Sequence, residues 1–216
     1  MNQFSGVCPA VVIDNADPDN RGRVKVRFAH LSGPGERGAE AWARLATLMA
    51  GDNRGTWFIP DVKDEVLVAF EAGDVSRPYV IGALWNGAKP PETMDANNTK
   101  KVLRSRSGIR VTLADQAGKE SFVVETPGGQ KLVLEDGPGA IAITDSNGNS
   151  MKLEPSGVSV TASAKISIRA RSVELDAGMF FVNAGMAKFA GVVQCDTLLS
   201  NSVISASYTP GVGNVW

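Results

Sequence analysis

The chain has 216 residues, 43% hydrophobic and 21% charged, with a formal net charge of −1, a composition that argues against a disordered or membrane-spanning protein. Basic and acidic side chains balance in each half, 11 against 13 over residues 1–100 and 11 against 10 over 101–216, so neither half carries the excess expected of a nucleic-acid or anionic-lipid binder. Aromatics are only 6%, while 23 glycines and 11 prolines suit many short strands and turns, which favours an all-β class.

The N-terminal MNQFSGVCPAVV has no basic segment followed by a long apolar one, so the expectation is synthesis and assembly in the cytoplasm without a signal peptide or transmembrane span. Cys8 and Cys195 lie near opposite ends and make no metal-ligand spacing. They are expected to be two reduced, buried thiols.

Residues 6–88 read as a small β domain. AVVIDNADPDNRGRVKVRF offers a strand, a polar turn and a second strand in which Val24, Val26 and Phe28 alternate with Lys25 and Arg27. RGTWFIPDVKDEVLVAFEAGD repeats that form with Val66, Val68 and Phe70 on one face, and RPYVIGALWNG adds a last strand. About five short strands with regular turn signals predict a small barrel or sandwich. AEAWARLATLMAG resists this reading, because its residues are good helix formers. Residues 91–107, with paired prolines just ahead and a Lys/Arg cluster, have linker composition, giving domains at 1–90 and 108–216.

Beyond the linker a short apolar unit repeats, its first apolar residues at 109, 122, 132, 141, 151, 158, 166 and 173. A chain that encloses a three-walled core by itself needs on the order of 15 extended residues per coil, at roughly 3.3 Å each. The later units are too short for that, and few of the joints resemble two-residue Asn-Gly turns. Three chains winding about a shared axis satisfy the pattern, with an ordinary monomeric sandwich as the alternative. Val158, Val160, Ile166, Ile168, Val173, Leu175 and Phe181 are then expected to line the trimer core, with Met179, Phe180, Met186 and Phe189 making a bulkier section. After Lys188 the only charged residue is Asp196. An apolar prism end needs a cap, and Tyr208, Pro210 and Trp216 are the candidate tip interface.

DPDNRGRVKVRF, WARLATLMAG, FIPDVKDEVLVAFEAGD and RPYVIGALWNG closely resemble the OB-fold domain of the central spike of contractile injection machines, the VgrG and phage baseplate assembly protein V family. The resemblance implies an all-β chain: an OB-fold barrel over residues 1–90, then an intertwined triple-stranded β-helix forming a homotrimeric needle. It also implies that AWARLATLMAG is a strand, that a separate hub protein binds the barrel end, and that a PAAR-like tip protein sits on the C-terminal end. The expected role is a structural spike of a phage tail or phage-tail-like particle that meets the target membrane only on puncture. Lys63 stands where glycine is common in that family. No cofactor is implied, and the iron site of some short spikes does not carry over, since His30 is the single histidine.

Other motifs weigh less. GPGERG, 33–38, fits a dinucleotide-binding glycine pattern, but Pro34 and the lack of a βαβ unit make it a loop. Arg21, Arg23, Lys25 and Arg27 beside Trp57 and Phe58 raise nucleic-acid binding by an OB fold, which the charge balance opposes. Asp115, Glu125, Glu135, Asp136, Asp145 and Glu154 recur at strand ends, as a trimeric tailspike hydrolase would need, yet turn roles suit them better. The expectation is a non-enzymatic protein without catalytic or metal residues. A tailspike hydrolase and an OB-fold binding protein are the alternatives.

Overall fold

The computed structural model describes residues 6–29, 38–87 and 89–206, and divides the chain into two units, Met1–Lys165 and Ile166–Trp216. In the first unit, strands β1 (Val7–Asp14), β2 (Val24–Phe28), β3 (Ala39–Leu45), β6 (Glu65–Phe70) and β7 (Pro78–Leu84) close a five-stranded barrel in the order β1-β2-β3-β7-β6. All its pairings are antiparallel except β3 with β7. Two short strands, β4 (Ala50–Gly51) and β5 (Arg54–Gly55), form a hairpin of their own.

Alternation decides what fills the barrel. Cys8, Ala10 and Val12, then Val24, Val26 and Phe28, then Val66, Val68 and Phe70 point inward and are buried, joined by Ala43 and Val80. The Phe28 and Phe70 rings meet at 5.4 Å between centroids. The helix-forming segment is a strand from Ala39 to Leu45, because pairing with both β2 and β7 outweighs local propensity. Ala41, Ala43 and Leu45 lie against the core, while the other face stacks the Arg23 guanidinium over Trp42 at 5.6 Å and that of Arg44 over Tyr79 at 5.5 Å.

The turn from β1 to β2 is organised by Asp17, whose side chain is 4% exposed. Its carboxylate accepts from the Arg23 guanidinium at 2.7 Å and from the backbone N–H groups of Arg21 at 2.8 Å, Arg23 at 3.1 Å and Asp19 at 3.1 Å. The bond from the Arg23 guanidinium, reinforced by those amides, holds this carboxyl well below the usual carboxylate range. Lys63, before β6, has φ = 85°, a left-handed conformation that favours glycine.

Residues 100–161 form one seven-stranded antiparallel meander: β8 (Lys100–Arg104), β9 (Arg110–Ala114), β10 (Ser121–Glu125), β11 (Lys131–Glu135), β12 (Ala140–Thr144), β13 (Ser150–Glu154) and β14 (Gly157–Thr161). Each strand pairs with the next in sequence. This corrects the expectation that units so short cannot pair within one chain. Except for the two-residue turn Pro155–Ser156 between β13 and β14, the turns are longer: Thr126 and Gln130 bracket one, with the Thr126 N–H donating to Gln130 O at 3.0 Å and Gly129 supplying φ = 87°, and Asp145 and Asn149 bracket another. A three-residue loop with glycine in the left-handed position is the next most favoured hairpin after the two-residue kind. Strand β8 lies inside the stretch read as a linker, and Glu92 ahead of it pairs with Arg110 and, at 3.7 Å, with Lys100.

The second unit contains no strand over its described residues, 166–206. It runs as segments without regular secondary structure, separated by bends at Arg171, Gly178, Gly185, Ala190–Gly191, Asp196, Asn201 and Ala206. From Ile166 to Ile204 no backbone hydrogen bond joins one segment to another.

Candidate functional site

The meander's register places its large apolar side chains on one face. Leu113 pairs with Phe122 and Phe122 with Leu134, then Leu134 with Ile141 and Ile141 with Leu153, and Leu153 with Val158. A parallel column runs Val111, Val124, Leu132, Ile143, Met151 and Val160. Two columns over six strands make an apolar ladder, because residues paired directly opposite one another on neighbouring strands share a face of the sheet. Among the described residues of the first unit no second layer covers it. Leu113, Phe122, Leu134, Ile141, Ile143, Met151, Val158 and Val160 remain between 37% and 66% exposed. The opposite face carries Thr112, Val123, Val133, Ala142, Lys152 and Ser159, a mixed and mostly smaller set.

Exposure is greater still in the second unit. Every large apolar side chain from Ile166 to Ile204 is at least 56% exposed, including the expected core residues Ile166, Ile168, Val173, Leu175 and Phe181. An extended backbone without internal pairing leaves its donors and acceptors for other partners. Val158 and Val160 belong to the ladder of the first unit, the other five to this segment. Cys8 is buried, but Cys195 is exposed, against the expectation of two buried thiols, because its segment has no core of its own. Tyr208, Pro210 and Trp216, like His30 and most of GPGERG, lie outside the described residues.

The carboxylates considered as an acid and base stand at strand ends and turns. Asp145 accepts from the N–H groups of Asn149 at 2.8 Å and Asn147 at 2.9 Å and from Asn149 Nδ2 at 2.7 Å. The Asn149 side chain first, and these amides with it, keep the Asp145 carboxyl below its ordinary range, the state of a turn anchor rather than a general acid. Asn149 Oδ1 in turn accepts from Ser163 N at 2.9 Å, tying the chain just past β14 to the turn before β13. Glu125 lies 3.9 Å from Arg110, and Glu135 sits at the other end of the paired strands β10 and β11. Among the described residues no group of three or more His, Cys, Asp or Glu side chains could hold a metal. No described helix is long and apolar enough to cross a membrane.

Residues 8–85, the barrel, match the family model of the type VI secretion system/phage-baseplate injector OB domain, and residues 121–186 match that of the phage baseplate V C-terminal trimerisation domain. The chain belongs to the phage baseplate V and VgrG spike family. The second match takes in β10 to β14, five of the six ladder strands, and runs on into the segment without strands. Among relatives, the type VI secretion system spike protein VgrG4b of Pseudomonas aeruginosa is 35% identical over 114 residues, which are 49% of this chain and 14% of that protein. The spike protein VgrG1b of the same organism is 29% identical over 128 residues, 55% of this chain and 17% of the relative. The actin cross-linking toxin VgrG1 of Vibrio cholerae is 34% identical over 111 residues, 48% and 10% of the two chains. The chain thus corresponds to a small part of these much longer proteins.

Proposed function

We propose that three copies of this chain assemble into the central spike at the baseplate of a contractile phage tail or phage-tail-like injection system. The barrel of residues 1–90 binds a hub protein, and the chain beyond residue 107 forms the needle, whose end carries a PAAR-like tip. The work is mechanical: the needle transmits load to the target envelope, and the target membrane is met only on puncture. Within the trimer the meander ladders face one another, and residues 166–206 wind with their two counterparts, so that Val158, Val160, Ile166, Ile168, Val173, Leu175 and Phe181 lie toward the axis.

The observation that carries this reading is the apolar surface left bare on a single chain, continuous in sequence from β9 to Ile204 and overlapping the match to a trimerisation domain. Stacked sheets sit about 10 Å apart, close enough for the apolar side chains of facing layers to meet. Light scattering on the purified protein tests it: the expected mass is three times 22.7 kDa, about 68 kDa, held on dilution. A stable 22.7 kDa species would sink the proposal.

A further inference from the structure

The barrel carries a second apolar surface, remote in sequence from the ladder. The β4–β5 hairpin and residues 56–59 help line a groove whose apolar lining includes Leu45, Leu48, Met49, Trp57, Phe58 and Ile81. Trp57 is 72% exposed and Phe58 74%. The Trp57 ring and the hairpin backbone are held in place. The Trp57 ring lies so close over Gly22 that a Cβ there would come within 3.0 Å of it. The Thr56 N–H donates to Met49 O at 3.0 Å, and the Thr47 hydroxyl donates to Thr56 O at 3.0 Å, fixing the hairpin against the run that bears the aromatics. A surface ordered before contact loses little entropy on binding.

The groove's charge has one sign. Arg21 and Arg54 are its only charged lining residues, and neither forms an ion pair among the described residues, whereas nearby Arg23 is taken by Asp17 and Asp19. We propose that this groove docks a segment of a partner protein in which carboxylates stand beside large apolar side chains. Two unpaired guanidinium groups select the carboxylates, and the aliphatic and aromatic walls take the apolar anchors. A single nucleic-acid strand fits less well, since it needs a continuous cationic track and stacking faces rather than aliphatic walls. The inference is independent of shaft assembly.

The test is a random 12-residue peptide library screened against the full-length protein and against the Arg21→Ala/Arg54→Ala variant, with molecular mass measured on both. Recovered peptides are expected to be rich in Asp and Glu next to Leu, Phe or Trp. They should shift tryptophan emission, a change lost in Trp57→Phe, and bind the double variant at least about tenfold more weakly. Peptides without acidic enrichment, or equal binding to the variant, would overturn the proposal. So would tighter binding of a 12-nucleotide oligo-dT, which would make the groove a nucleic-acid site, or a fall in mass of the double variant, which would make it a contact between copies.

Discussion

Val160 and Ser159 are neighbours on β14, pair with Met151 and Lys152 respectively, and leave opposite faces of the sheet. Both are exposed on the single chain, Val160 by 57%, so a monomer should tolerate an aspartate equally well at either position. A trimer should not. Full burial of a valine is worth about 1.5–3 kcal/mol, so covering the remaining half contributes about 1 kcal/mol per copy and about 3 kcal/mol over three. Val160→Asp removes that and places three carboxylates in an apolar interior, at an effective cost of several kcal/mol each. The total is on the order of 10 kcal/mol, comparable with the whole stability of a typical domain, so assembly should fail. Light scattering should give about 68 kDa for the parent and for Ser159→Asp, and 22.7 kDa for Val160→Asp. Acid should partly restore assembly of Val160→Asp, because an apolar environment raises a carboxyl pKa and its neutral form is cheaper to bury. A Val160→Asp trimer with the same urea midpoint as Ser159→Asp would refute the assignment of the ladder to the interface.

The barrel yields three further expectations. Phe28, 1% exposed against Phe70, should lose about 3–5 kcal/mol on Phe28→Ala, seen as a lower urea midpoint for the barrel transition. Lys63→Gly should raise stability by about 1 kcal/mol, since φ = 85° strains a lysine and not a glycine; an unchanged or lower thermal midpoint would count against that strain. The depressed Asp17 carboxyl contributes stability that is present above its unfolded value near 4 and is lost as pH falls through its folded value, so the parent should weaken from about pH 5 downward. Asp17→Asn should be less stable at pH 7 and show a flatter acid limb in pH-dependent urea titrations.

The barrel strands that alternate cleanly, Val24 to Phe28 and Val66 to Phe70, were legible because a buried face needs a large side chain every second residue. Strand β3 was not legible from propensity, yet Ala41, Ala43 and Leu45 alternate too; their small size, suited to a position with no room beside the core, concealed the period. In the meander the apolar pairs were plain, but the turns were misjudged. Gly108, Gly118, Gly129, Gly139 and Gly148, spaced nine to eleven residues apart and all at positive φ, mark successive turns, a signal that a search for Asn-Gly pairs passes over. The groove beside Trp57 was out of reach, because sequence shows that an aromatic is present and not that Gly22 beneath it leaves the ring on the surface.

The two parts of the proposed needle hold together by different means. From β8 to β14 each strand pairs with its sequence neighbours and only the outer edges of β8 and β14 stay open, so in the proposed trimer these sheets would meet mainly through side chains. Between Ile166 and Ile204 no backbone pairing joins the described segments, and the distance between bends falls from seven residues, at 171, 178 and 185, to five, at 191, 196, 201 and 206. At roughly 3.3 Å per residue, seven residues span about 23 Å and five about 17 Å, so walls set by these bends would narrow toward the C-terminal end. Charge leaves the sequence over the same stretch, with Asp196 alone after Lys188. A thinner prism offers less interior per tier for apolar side chains, and hydrogen bonds between copies must then carry a larger share of its cohesion. In the proposed trimer those bonds would run between neighbouring chains, so the region that would strike first would also be the region where no copy could pull free without breaking backbone pairing to the other two.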